Sequence, residues 1–136
     1  MLRANWAVVE IYDVAIVGGG PGGLTAGLYA ARGKLKAVLL EKGLAGGQIM
    51  NAEKVENYPG FPEGISGMEL GERMLEQASR HGLEIVYTEA TSVEFKDKIK
   101  VVNTTLQSYA AKSLIIAAGS EHRKLGVPGE KELLGK

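Results

Sequence analysis

Asp13-Val14-Ala15-Ile16-Val17-Gly18-Gly19-Gly20-Pro21-Gly22-Gly23 is the stretch that decides the fold. Residues 10–17 alternate and then run apolar, the pattern of a strand buried in a parallel sheet. The glycines that follow make a tight turn, and Pro21 suits the first turn of a helix, where its missing N–H costs nothing. Leu24, Leu28 and Ala31 then recur on one helical face up to Arg32-Gly33, a natural stop. Lys36–Leu40 reads as a second short strand closed by Glu41. The result is a β-α-β start and a parallel sheet.

Each glycine of Gly18-x-Gly20-x-x-Gly23 has a physical task. Gly18 permits the turn, Gly20 lets a pyrophosphate approach the backbone, and Gly23 lets the helix pack against the strand. Unpaired N–H groups at the helix N-terminus complete an anion site. Three glycines alone could be a plain turn, but here a strand precedes them and a helix follows. Glu41 lies eighteen residues after Gly23, at a strand end, where an acidic residue accepts hydrogen bonds from a ribose diol. The alternative for Glu41 is a solvated loop carboxylate. The two features together predict a bound dinucleotide, and the acid disfavours a 2′-phosphate.

Residues 42–65 hold seven glycines and prolines without a clear period and read as a long ordered loop, which is usually functional. Ser66 with Glu69 is a capping-box signature for a second helix ending at His81-Gly82. Met68, Leu70, Met74, Leu75 and Ala78 are its expected core positions. Leu83–Tyr87 reads as a third strand. Segments 91–96, 98–103 and 105–110 read as an antiparallel meander, and Lys112–Ala118 as a separate buried strand ending at Gly119. The predicted fold is α/β and Rossmann-like, a parallel sheet with helices plus a small antiparallel meander. Residues 1–10 form an extension, in which Trp6 is a candidate for edge packing or assembly, and 11–136 form the domain.

Sixteen basic and sixteen acidic residues among 136 cancel, so no net field favours nucleic acid or an anionic membrane. Apolar runs are too short to span a bilayer, and a cytoplasmic location is the expectation. The sequence contains no cysteine, which excludes a disulfide, a thiolate metal site or a redox dithiol within these residues. His81 reads as a helix-end residue and His122 as a solvated one. No catalytic residue and no metal ligand is assigned.

Three ordered motifs carry a family resemblance. Gly18–Arg32 resembles the opening of the FAD domain in the thioredoxin reductase family. Gly46-Gly47-Gln48 followed by Val55-Glu56-Asn57-Tyr58-Pro59-Gly60-Phe61 resembles its flavin loop. Leu114–Gly119 followed by Leu125-Gly126-Val127-Pro128-Gly129 resembles the exit from its first FAD segment. The resemblance implies FAD at the glycine turn, with Gly18, Gly20, Pro21, Gly22, Gly23, Glu41, Lys42, Gly47, Gln48, Asn57, Ala90, Ala118 and Gly119 as its contacts. Gln48 and Asn57 would face the isoalloxazine ring, whose mixed polar edge suits amides that donate and accept; taken alone, both read as turn residues. The backbone near Ala90 would meet the adenine, and Tyr58, Pro59 and Phe61 read first as local packing. Ala118 departs from the threonine common at its position.

That family splits the FAD domain around an NADPH domain bearing a Cys-x-x-Cys pair. This chain is therefore expected to hold the first FAD segment only, without that domain or the closing C-terminal segment. The implied function is the FAD-binding portion of an oxidoreductase that passes electrons from NADPH through FAD to a disulfide. Two alternatives stay open: a ferredoxin- or flavodoxin-NADP reductase of the same architecture, and a non-enzymatic FAD-binding module. The expected partners are FAD and either a second chain completing the domain or a second copy.

Overall fold

Strand β1 (Ile11–Val17) lies at the centre of the sheet because its residues bury both faces. A computed structural model of the protein describes residues 10–121 and 123–133; Trp6 and His122 lie outside these. Helix α1 (Pro21–Arg32) starts with proline at its first position and stops at Gly33. Strand β2 (Ala37–Glu41) is buried almost throughout. Helix α2 (Gly67–Arg80) follows the long loop, and strands β3 (Glu84–Tyr87), β4 (Ala90–Lys96), β5 (Ile99–Thr104) and β6 (Ser108–Ile116) complete the sheet. A short helix, α3 (Glu130–Leu133), comes last.

The strand order is β3-β2-β1-β6-β5-β4. β1 runs parallel to both β2 and β6, and β2 parallel to β3. β4, β5 and β6 form the antiparallel meander. The α/β reading with a meander therefore holds, with two corrections. The strand expected over 112–118 is not buried, since β5 stops pairing with it at Ala111 and Lys112, Ser113, Ile115 and Ile116 are exposed. Nor are segments 105–110 and 112–118 separate strands. β6 is continuous: Ser108–Ala111 pairs antiparallel with β5, while register with β1 extends from Ala110 to Ile116. One strand thus belongs to both regimes.

Two cores flank the sheet. Val14, Ile16 and Leu39 pack with Leu24 of α1, Ala78 of α2 and Leu83. On the other side Ala15, Val38 and Leu40 pack with Val102, Tyr109 and Ala111 of the meander. A third cluster, Val55, Ile65 and Leu70, seats the long loop on α2, and a two-bond bridge between Val55 and Ile65 closes it. Residues 42–65 hold one 3₁₀ turn, Gly47–Asn51, and otherwise run as a loop, as expected of them.

Two helical expectations need correction. Met68 is 47% exposed rather than in the core, because the first turn of α2 directs it outward. The capping box is half made: Ser66 Oγ accepts from the Glu69 N–H at 3.1 Å, but the Glu69 carboxylate is drawn to Arg73 at 2.6 Å, one turn along.

Tyr12 offers a pH test. Its hydroxyl donates to both Glu84 carboxylate oxygens at 3.0 and 3.1 Å. Burial, then that hydrogen bond and the Glu84 charge, push its pKa from 10.0 to about 12. The folded chain keeps a proton that the unfolded chain releases, so this stability is complete below pH 10.0 and is lost as the pH rises through about 12. Tyr12→Phe is expected to lose less stability than the parent between about pH 9 and about pH 11. Urea midpoints at the two pH values check this; an equal loss in both chains overturns it.

Candidate functional site

The site lies at the C-terminal ends of β1 and β2, where ligands bind in sheets of this type. Gly18 follows β1 with φ 104°, and a side chain there would place Cβ 2.2 Å from the Ala117 carbonyl oxygen. Gly23 is tighter still, since its Cβ would lie 1.7 Å from the Gly18 carbonyl oxygen. The turn is folded against itself. Gly20 differs: the nearest atom to an added Cβ is Gly47 Cα at 3.7 Å. Its bare backbone opens onto the cleft, which is the close approach a pyrophosphate needs.

The N-terminus of α1 has no side-chain cap and no acidic residue in its first turn. Its partial positive charge is thus left for an anion. Glu41, at the end of β2, stands beside the turn. One carboxylate oxygen accepts from the Gly19 N–H at 2.6 Å and the other from the Gly43 N–H at 2.7 Å. The carboxylate ties the glycine turn to β2 and to the loop, and its remaining lone pairs can still accept from a diol. Sequence reasoning foresaw the acid but not this tie, which exists only once the turn is folded.

A cleft of about 670 Å³ runs along the turn. Gly18, Gly20, Pro21 and Gly22 form one wall, with Glu41 and Lys42 beside them. Gly47 and Gln48 form the facing wall, and Ala118 and Gly119 lie along the β6 side. A narrower recess of about 180 Å³ adjoins it, sharing Gly18, Glu41, Lys42 and Ala118 and adding Ala90. The main cleft falls in the usual range for small-molecule sites, roughly 300–1,000 Å³. The Gln48 side-chain amide donates to the Ser120 carbonyl oxygen, and Lys42 Nζ lies 3.8 Å from Glu121, so both walls reach the segment after β6.

The structure thus gathers eleven of the thirteen sequence-predicted positions around the cleft and its recess. Gly23 is buried beneath the turn and supports it without lining it. Asn57 does not line the cleft. It lies with Tyr58, Pro59 and Phe61 around a separate shallow recess, where the Tyr58 and Phe61 rings are 6.2 Å apart and Arg73 stands over Phe61. These aromatics pack locally, as the sequence suggested.

Thr88 was missed. It is buried, its N–H donates to the Glu41 carbonyl at 2.8 Å, and its hydroxyl meets that of Thr105 at 3.2 Å. It holds the strand end that floors the recess. A polar residue directly after a strand was the available signal. Met50, which lines the cleft behind Gln48, was missed as well. Among the described residues no helix is long and apolar enough to cross a membrane.

The pyridine nucleotide-disulphide oxidoreductase family model matches residues 12–136. The chain is 48% identical to the thioredoxin reductase of Bacillus subtilis strain 168 over 93% of its own length and 40% of that protein's. The crystal structure of Lactococcus lactis thioredoxin reductase superposes with a TM-score of 0.84 at 45% identity, covering 89% of this chain and 40% of that one. A ferredoxin-flavin thioredoxin reductase from Clostridium acetobutylicum superposes with a TM-score of 0.78 at 35% identity, covering 94% of this chain and 44% of that one. The chain therefore spans about 40% of the length of the curated relatives it matches.

Proposed function

The chain belongs to the pyridine nucleotide-disulphide oxidoreductase family, and from that premise we propose that it is the FAD-binding part of a thioredoxin-reductase-like flavoprotein oxidoreductase. One observation carries the reading. The open backbone at Gly20, the uncapped start of α1 and the Glu41 carboxylate converge on a single cleft. That donor set suits a dinucleotide, with N–H groups for the diphosphate and a carboxylate for a ribose. The motif resemblance and the thioredoxin reductase relatives favour FAD over NAD.

In this reading the backbone at Gly18, Gly20 and Gly22 receives the pyrophosphate, with Pro21 setting the helix start and Gly23 bracing it from below. Glu41 accepts from the ribose hydroxyls, with Lys42 beside it. The backbone at Ala90 borders the adenine end, and Gly47, Gln48, Ala118 and Gly119 border the flavin end. When bound, FAD would supply the redox chemistry of its isoalloxazine ring, and the protein places and tunes that ring. A hydride donor such as NADPH and a disulfide acceptor belong to the proposed whole enzyme; this chain contributes no cysteine to it. The reading includes a cytoplasmic location and residues 11–136 as one FAD-binding unit.

It also includes association with a second chain or a second copy. What supports association is β6, which pairs with β5 only over Ser108–Ala111 and leaves Ile116 71% exposed.

A visible absorbance spectrum of the chain, incubated with FAD and desalted, tests the proposal. Retained flavin bands are expected. Glu41→Ala removes both the diol acceptor and the tie to Gly19, and is expected to weaken FAD binding roughly tenfold or more, as losing charge-assisted hydrogen bonds does. Equal retention by the variant counts against the assignment, and a colourless parent chain would make it an incomplete piece of a reductase rather than a working FAD-binding module.

A further inference from the structure

Helix α2 contributes no residue to the cleft, yet two glycines on it control how the cleft's second wall is seated. A Cβ on Gly67 would lie 1.8 Å from the Ile49 carbonyl oxygen, and the Gly67 N–H donates to the Ala52 carbonyl at 2.9 Å. A Cβ on Gly71, one turn on, would lie 2.7 Å from Met50 Cγ and 3.3 Å from Gly46 Cα. Met50 belongs to the 3₁₀ turn Gly47–Asn51 that carries Gln48. That turn is in turn pressed on the phosphate side: the Gly46 N–H donates to the Gly19 carbonyl at 2.7 Å, and a Cβ on Gly47 would lie 2.7 Å from Gly20 Cα. Backbone thus stacks on backbone from α2 through the 3₁₀ turn to the glycine turn.

Glycine inside a helix weakens it relative to alanine. α2 nonetheless carries Gly71 in its interior, on the face that meets Met50. We propose that Gly71, supported by Gly67, is a positioning residue of the cofactor cleft. Its missing side chain lets Met50 and the 3₁₀ turn settle against α2, and this sets the gap between Gln48 and the glycine turn. The inference rests on the FAD reading and goes beyond it by assigning the width of the flavin end to a helix that never touches the ligand. A methyl group at position 71 meets Met50 at Cγ and at Sδ (3.2 Å) and presses on the Gly46 backbone, so Met50 and the segment that leads into the 3₁₀ turn have to shift.

The test is a double-mutant cycle on the full chain, with FAD affinity and the bound-flavin absorption band as readouts. Gly71→Ala is expected to fold, since alanine favours helix, to raise the FAD Kd roughly tenfold and to shift the bound-flavin band, because a site held to about half an ångström tolerates little displacement. Met50→Ala makes room for the new methyl group. In that background the same substitution is expected to leave Kd and band nearly unchanged, giving strong non-additivity. Unchanged Kd and band in Gly71→Ala overturn the proposal, as do losses that simply add. If Gly71→Ala alone does not fold, comparing Met50→Ala with the double variant reads the same contact; equal Kd supports it and a tenfold gap overturns it. A parent chain that fails to retain FAD would instead refute FAD binding by this chain alone, the reading on which the proposal rests.

Discussion

Gly23→Ala is expected to abolish the folded state. The added Cβ would sit 1.7 Å from the Gly18 carbonyl oxygen and 2.9 Å from its carbon, both backbone atoms. Neither can retreat. Gly18 holds φ 104° with Ala117 packed against it, and its N–H donates to the Leu40 carbonyl at 2.9 Å. Ordinary overpacking costs about 1–3 kcal/mol because side chains can shift. Here α1 must lift off β1 instead, and the loss is set against a total stability of roughly 5–15 kcal/mol. Gly20→Ala is the control, because its nearest neighbour would be 3.7 Å away. It is expected to keep the parent's unfolding midpoint while obstructing the cleft. Denaturant unfolding followed by circular dichroism decides the matter; cooperative unfolding of Gly23→Ala near the parent midpoint sinks the steric account.

Ile16→Ala is the second large effect. Ile16 is 0% exposed, pairs with Leu39 on one side and Ile115 on the other, and packs in the helix-side core with Leu24. Removing its methyl and ethyl groups forfeits burial and leaves a cavity that two flanking strands cannot close, a loss of about 2–5 kcal/mol. Ile116, also beside β1 but 71% exposed, is expected to lose no more than about 0.5 kcal/mol on the same substitution. Two isoleucines with similar local sequence are thereby separated by burial alone. Urea midpoints for the pair check this, and comparable losses would contradict the placement of the core.

What could be read from the sequence was local. The β1–turn–α1–β2 unit declares itself through an apolar run, glycines with assigned tasks and a proline at a helix start, all between Ile11 and Glu41. Most of the cleft followed because its walls are strand ends and turns. What could not be read depended on partners far along the chain. Ala110-Ala111-Lys112 looks like a break between strands, yet it is where β6 passes from an antiparallel neighbour to a parallel one. Met68 has helical spacing but sits at a turn whose outward direction no periodicity encodes. Glu69 had two suitors, the Ser66 backbone and Arg73, and only folded geometry decides between them. Asn57 belongs to a motif that aligns well, but the loop packs its motif's aromatics on each other and leaves the amide outside the cleft.

The continuous strand β6 also dictates an order of assembly. β1 pairs with β2 nearby in sequence, but its contacts with β6, such as Lys112 to Asp13 at 2.7 Å, join residues 99 positions apart. Closing so long a loop costs conformational entropy before any pairing rewards it, and folds dominated by such contacts form slowly. A chain emerging from the ribosome would therefore carry β1 with one edge bare until residues 108–116 have been synthesised, the interval in which misassembly between nascent chains is most favoured.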